Sequence, residues 1–362
     1  MPARTRIGIL TGGGDCPGLN TVIATAARAA ARRDWDTIGF IGGFEGLLAP
    51  IQHRALDPHL LENVRFEGGT ILKTSNRGRF AAKVGHGEAK RIPTEILNEA
   101  KQSFESLGLR ALVCVGGDGS LSIAQQLFEH GVPLVGVPKT IDNDLDATSM
   151  TFGFDTAVAV ATDALDRLRT TAESHERVMV LEVMGRYAGW IAIYAGIAGG
   201  ADAILIPEIP FSYDSVCAKI AERERIGANY ALVVVAEGAT ERGGGYVEAA
   251  AQASDREARL GGIAGRVCRE IARRTGKETR ECVLGHLQRG GTPTNFDRAL
   301  CTLFGTKAVE LVADEKYGQM VAFAPPQMIS VPIAAAIGRL RRVDLNGNLV
   351  RSARALGICL GD

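Results

Sequence analysis

Three short segments carry side chains suited to phosphoryl transfer: GGGDCPG (12–18), GGDGS (116–120) and PKTIDND (138–144). A polyphosphate brings several negative charges, which oriented backbone amides, a Lys or Arg and a metal ion can hold. A hydroxyl acceptor also needs a carboxylate to take its proton, and the metal needs a carboxylate ligand. Gly13 and Gly14 offer amides, Lys139 a cation and Thr140 a hydroxyl, while Asp118, Asp142 and Asp144 are the candidate carboxylates.

Taken singly, the segments differ in weight. GGGDCPG stands between a strand-like run and a helical one, so its amides would lie near the positive end of a helix. It lacks both the GxGxxG spacing and the Lys-Ser/Thr end of a P-loop, and a tight turn accounts for it equally well. GGDGS places Asp118 between two glycines where it can face a metal, although Asp and Gly also begin turns and helices. PKTIDND is stronger. In extended backbone residues 142 and 144 point to the same side, and two like charges so placed resist joint ionisation unless a cation is near.

Further along, MGR (184–186), Glu237 and HLQRGG (286–291) each follow an apolar run. Arg186, Arg280, His286 and Arg289 can form a second anion pocket, sized for a sugar phosphate. One by one, such residues are more often surface ion pairs, and only the series argues otherwise. For His175 and Arg177 in SHER (174–177), spacing assigns no role.

The elements that must position these groups are legible as alternating patterns. Apolar runs at 7–10, 37–41, 111–115, 134–137, 178–183, 203–206, 231–235 and 282–284 read as strands. Helical spacing fills 20–32, 94–107, 121–130 and 156–169. That alternation predicts parallel βαβ units with reactive groups at the carboxyl ends of the strands. All three segments fall at such ends. The polar stretches 240–245 and 254–259 read as an exposed excursion.

At 362 residues the chain is long enough for two domains, and 46% hydrophobic composition can fill both. Lys+Arg and Asp+Glu balance at 41 each, which argues against nucleic acid or an anionic membrane as partner. Seven scattered cysteines without a CxxC pair favour reduced thiols in a cytoplasmic protein over a disulfide framework or a zinc site. The start, MPARTRIGIL, has no apolar core of signal-peptide length, and 187–201 reads as a buried glycine-rich helix, not a membrane span. A dinucleotide-dependent dehydrogenase fails for want of GxGxxG. A nucleotide-binding protein that has lost its chemistry is disfavoured by the presence of Asp118, Thr140, Asp142, Asp144 and Arg186 together.

In order, LTGGGDCPGLN, GGDGS, PKTIDND, SHERV, VMGRYAGW, AGGADAILIPE and VLGHLQRGG resemble the signature series of the 6-phosphofructokinase family, from about residue 7 to 297. The resemblance implies an α/β protein of two Rossmann-like parallel-sheet domains with the active site in the cleft between them. Residues 1–153 with 288–338 would bind the phosphoryl donor, and 154–287 with 339–362 the sugar phosphate. It implies transfer to the 1-hydroxyl of fructose 6-phosphate, in a homotetramer or homodimer. Asp142 would be the base, with Thr140 and Gly14 positioning the transferring phosphoryl. Asp118 would hold Mg²⁺ with Asp144 in support, and Arg186 would reach between donor and acceptor. The donor would meet Gly13, Gly14, Gly117, Asp118, Gly119, Ser120 and Lys139, with Arg77 of TSNRGR (74–79) on a phosphate. The sugar phosphate would meet Thr140, Asp142, Met184, Gly185, Arg186, Glu237, His286 and Arg289 from one subunit, and Arg177 and Arg280 from a neighbour.

The donor is less sharply marked. In the family, Gly at position 119 leaves room for a nucleotide, whereas Asp there fills that room in pyrophosphate users. Lys at position 139 is typical of pyrophosphate users and Gly is common in ATP users. This chain pairs Gly119 with Lys139. The steric requirement favours ATP, with pyrophosphate as the alternative. On the first helix the arginine pair of the short bacterial enzymes is reduced to Arg28, with Ala24 at the other position, which argues against effector control of that type. The longer stretch 240–260 resembles the pyrophosphate and mixed-substrate branch.

Overall fold

The computed structural model describes residues 4–75, 78–80, 91–246, 248–250 and 259–362. In chain order the elements are β1 (Arg6–Thr11), α1 (Leu19–Ala31), β2 (Asp36–Phe40), β3 (His53–Ala55), α2 (Thr94–Ser106), β4 (Leu109–Gly116), α3 (Asp118–Glu129), β5 (Leu134–Pro138) and α4 (Phe154–Ser174). There follow β6 (Val178–Val183), α5 (Trp190–Ala198), β7 (Ala203–Leu205), α6 (Tyr213–Arg225), β8 (Ala231–Ala236), β9 (Glu248–Ala250), β10 (Arg259–Leu260), α7 (Ile263–Thr275) and β11 (Thr279–Val283). The chain closes with α8 (Asn295–Ala313), β12 (Gln319–Ala324), β13 (Gln327–Pro332), α9 (Ile333–Ile337) and α10 (Asn348–Ala355). Two units result: Met1–Thr156 with Arg289–Leu340, and Ala157–Gln288 with Arg341–Asp362.

The first unit is built on a seven-stranded sheet in the order β13-β12-β5-β4-β1-β2-β3. Its five inner strands are parallel, and only the edge strands β13 and β3 run against their neighbours. Chain order runs outward from β1 in one direction to β2 and in the other to β4 and β5, so a topological switch point lies between β1 and β4. Parallel inner strands are covered on both faces and need near-continuous apolar runs. β4 fits, being buried at seven of its eight positions. α1 buries Leu19, Val22, Ile23, Ala26, Ala27 and Ala30, an i, i+3, i+4, i+7 stripe that packs on α8.

The second unit carries a four-stranded, all-parallel sheet in the order β11-β6-β8-β7. β6 and β8 are buried throughout. The carboxylate of Glu182 on β6 is also buried, and it accepts the backbone N–H groups of Gly262 and Ala264 at the start of α7, so the charge meets the positive end of a helix.

Several expectations shift in detail. The helix placed at 121–130 begins at Asp118, the one at 156–169 spans Phe154–Ser174, and the apolar helix at 187–201 is limited to Trp190–Ala198. The strand placed at 282–284 is Thr279–Val283, because parallel pairing with β6 sets its span. Of the excursion, 240–245 is mostly exposed, and 254–258 lies outside the described residues. No helix among the described residues is long and apolar enough to cross a membrane.

Candidate active site

In the first unit the register of the inner strands brings the three segments together. Thr11 of β1 pairs with Val115 of β4, and Gly116 pairs with Pro138 of β5. The residues that follow, 12–14, 117–120 and 139–144, therefore leave three adjacent strands at one edge of the sheet.

The glycine loop after β1 is pegged by its carbonyls. The Thr74 hydroxyl donates to the Gly13 carbonyl at 2.5 Å, the Lys139 ammonium to that of Gly14 at 2.5 Å, and the Arg289 guanidinium to that of Asp15 at 3.1 Å. In a trans peptide each C=O opposes the following N–H, so the amides of Gly14, Asp15 and Cys16 point away from these donors. Gly13 has φ 77°, a left-handed conformation that L side chains rarely take. Alternation of this kind gathers backbone N–H groups into an anion-binding concavity.

Lys139 is 4% exposed. Burial pushes its pKa below the ordinary lysine value, the neighbouring Arg289 adds to that, and Asp142 and Asp15 act in the opposite sense. Ser120 is buried as well: a Cβ on Gly12 would stand 2.6 Å from its hydroxyl and one on Gly116 2.2 Å from its Cβ, so the bare strand ends make room for it. At Gly119, by contrast, an added Cβ would meet nothing within 4 Å. Asp118 opens α3 behind the extended N-cap residue Gly117.

The three carboxylates lie within electrostatic reach of one another. Burial first, then the charges of Asp142 and Asp118, push the Asp144 carboxyl up to about 7 from an ordinary 3.8. Thr140 moderates this. Its hydroxyl hydrogen-bonds the Asp144 carboxyl and accepts the Asp142 backbone N–H at 3.1 Å, tying both acids to one side chain.

The second unit assembles its own strand-end group. Val183 of β6 pairs with Ala236 of β8, so Met184–Arg186 and Glu237 emerge side by side. The Glu237 amide donates to the Val183 carbonyl at 2.9 Å and that of Gly238 to Gly185 at 3.2 Å. A Cβ on Gly238 would stand 1.9 Å from the Arg186 carbonyl, so glycine is required at this contact. Gln288, absent from the sequence-based set, is fully buried, and its side-chain oxygen accepts the Met184 N–H at 2.7 Å. Its place in HLQRGG was the available signal. His286 is exposed on the turn after β11.

Arg177 and Arg280 stand elsewhere. Glu278 bridges them, meeting Arg177 at 2.8 Å and also pairing with Arg280. Both lie where β6 and β11 begin, whereas Met184–Arg186 follow the far end of β6, and six residues at about 3.3 Å each separate the two groups by ~20 Å. Arg289 falls within the first unit, against Gly14 and Asp15. Arg77 lies outside the described residues. Ala24 and Arg28 line a cavity of about 380 Å³ together with Arg32, Arg65 and Glu62.

Glycine loops, a buried cation and clustered carboxylates at the edge of a doubly wound sheet define the class as an α/β phosphotransferase. Residues 6–312 match the Phosphofructokinase family, and the chain belongs to it. It is 49% identical over 359 residues to the ATP-dependent 6-phosphofructokinase of Chloroflexus aurantiacus, covering 99% of this chain and 98% of that protein. It is 46% identical over 346 residues to the pyrophosphate–fructose 6-phosphate 1-phosphotransferase of Amycolatopsis mediterranei, covering 94% and 96%. Among solved structures, Pichia pastoris phosphofructokinase in the T-state aligns with a TM-score of 0.81 at 27% identity, over 99% of this chain but 37% of that one. This chain thus spans little more than a third of the Pichia chain.

A testable consequence follows from Asp144. Its carboxyl titrates higher in the folded than in the unfolded chain, so the folded state binds more protons between 3.8 and about 7, and stability falls as pH rises through that window. Asp144→Asn is expected to raise the melting temperature of metal-free protein by a few degrees at pH 8 and to give no gain at pH 4. Calorimetry showing no gain at pH 8 would contradict the charge crowding described here.

Proposed function

We propose that this chain is an ATP-dependent 6-phosphofructokinase. The observation that carries the reading is the meeting of three carboxylates, a threonine hydroxyl, a buried lysine and a pegged glycine loop at one sheet edge. In the reaction Asp142 takes the proton of the sugar 1-hydroxyl as that oxygen forms its bond to the γ-phosphorus of ATP. The bond from the γ-phosphorus to its bridging oxygen breaks, and ADP leaves with the electron pair. Thr140 and the amide of Gly14 hold the transferring group. Arg186, with Arg77 on the donor phosphates, offsets its charge.

The donor set fits Mg²⁺. Among the described residues no group of three or more His, Cys, Asp or Glu is arranged to enclose a metal. Magnesium, however, commonly takes one or two carboxylates and completes its shell with phosphate oxygens and water. Asp118, with Asp144 in support, would hold it, and the bound ion would supply positive charge to the donor phosphates and favour the ionised form of Asp144, which burial and its neighbouring acids disfavour.

Two features favour ATP. Open space beside Gly119 suits an adenosine, and the ammonium of Lys139 is committed to the Gly14 carbonyl, so a lysine at this position is compatible with nucleotide use. The first unit is assigned to the donor, with Gly13, Gly117 and Ser120 shaping the loops around it. The second is assigned to fructose 6-phosphate, through Met184, Gly185, Arg186, Glu237 and His286, with Arg289 reaching the sugar phosphate from the first. Arg177 and Arg280 are assigned to the sugar phosphate of a neighbouring subunit in a homodimer or homotetramer. Seven free cysteines and the use of ATP support assigning the enzyme to the cytoplasm.

Purified protein offered fructose 6-phosphate is expected to turn over with ATP; turnover with pyrophosphate and none with ATP would overturn the donor assignment. Since an added Cβ at position 119 meets nothing, Gly119→Asp is expected to fold normally and lose at least about 10²-fold in kcat/KM for ATP. Asp142→Asn is expected to lower kcat by roughly 10²–10⁴-fold while sugar-phosphate binding persists, the usual scale for removing a general base. Wild-type turnover in that variant would remove Asp142 from its role.

A further inference from the structure

The loop that carries the base is gripped by a residue to which no role in the reaction has been assigned. Thr151 is fully buried, and its hydroxyl donates to the Thr140 carbonyl at 2.7 Å. Its backbone N–H donates to the side-chain oxygen of Asn143 at 3.0 Å, and the hydroxyl lies 3.4 Å from that same oxygen. One residue thus holds the chain on both sides of the Ile141–Asp142 pair. Asn143 is 1% exposed and has φ 52°, a left-handed conformation that Asn tolerates better than most residues.

Thr151 is itself firmly placed. Lys139 bridges to Phe152 in parallel fashion, and the amide of the next residue, Gly153, donates to the buried carboxylate of Asp297 at 2.9 Å. On the other side, Ser149 and Thr148 bond the backbone of Phe323 at the end of β12. The 148–153 segment is therefore a fixed strut, and Thr151 is the point at which it meets the base loop. Ile141, between the two held residues in the chain, is fully buried.

We infer that Thr151 and Asn143 are positioning residues for phosphoryl transfer, setting the backbone at Thr140–Asn143 and through it the direction of the Asp142 carboxylate. The inference rests on Asp142 being the base proposed above. A base displaced by about 1 Å can cost on the order of 10²-fold in rate without loss of binding, because proton transfer is steep in geometry while phosphate contacts are not. Thr151 and Asn143 are both buried, so loss of the clamp should register in kcat and spare KM.

Thr151→Val keeps the shape and removes the hydroxyl; Thr151→Ser keeps the hydroxyl. The expected result is that Thr151→Val lowers kcat by about 10–100-fold with KM for both substrates within about threefold, while Thr151→Ser stays within about threefold of wild type. Asn143→Gly, which retains the left-handed backbone but removes the acceptor, is expected to match Thr151→Val. Hydrogen exchange gives a readout independent of activity: amides of 141–144 should lose protection in Thr151→Val and keep it in Thr151→Ser. Unchanged kcat in Thr151→Val, a rise in KM at constant kcat, or unchanged protection would each overturn the clamp. If wild-type protein turns over with neither ATP nor pyrophosphate, it is the proposed function that fails, and the exchange data alone judge the clamp.

Discussion

Mutual repulsion among Asp118, Asp142 and Asp144 is the constraint to which the rest of the first unit answers. Charges this close in a partly dry site resist joint ionisation, and they add to the burial that raises Asp144 to about 7. Hydrophobic packing alone would not select such an arrangement, since one neutral side chain at position 144 would relieve it. Under the proposed reaction, positive charge arriving with the donor would relieve it. Two cations stand nearby: Lys139, which feels the charges of Asp142 and Asp15, and Arg289, and both also shape the glycine loop by donating to the carbonyls of Gly14 and Asp15.

That division of labour depends on sheet topology. β1 and β4 are neighbours in the sheet but their helices leave in different directions, so the loops beyond them splay apart and leave a concavity at the switch point. β5 adds the 139–144 loop from the next position along. Bare glycines at the strand ends let Ser120 pack against Gly12 and Gly116, which seats α3 and with it Asp118 at its first turn. Candidate side chains from three separate loops are thereby fixed by one sheet. The same economy recurs in the second unit, where the ends of β6 and β8 present Met184–Arg186 beside Glu237.

Much of this was legible in the residues because function and local structure coincide. Parallel strands read as apolar runs, glycine turns mark their ends, and the acids of PKTIDND are close in sequence as well as in space. The antiparallel pair β12 and β13 was missed: AFAPPQM interrupts the apolar pattern with two prolines, and their pairing is set by neighbouring strands instead of by local periodicity. Gln288 and Thr151 were missed for another reason. Each acts through hydrogen bonds to groups distant in sequence, the Met184 or the Thr140 backbone among them, and no spacing rule connects residues 104 or 11 positions apart. Arg32 and Arg65 joined Arg28 around one cavity only once the fold brought α1 to the 58–65 segment.

The two arginines at the start of β6 and β11 show what one chain cannot do. Arg177 and Arg280 share Glu278, at the opposite end of the sheet from Met184–Arg186 and Glu237. About 20 Å of strand separates the groups, and an arginine side chain spans only a fraction of that. Within a single subunit the two sets therefore cannot hold the same sugar phosphate. If both sets serve fructose 6-phosphate, a second copy of the chain must bring its Arg177 and Arg280 to the strand ends of the first. Glu278 then acts as the internal partner that keeps two guanidinium groups ordered and side by side.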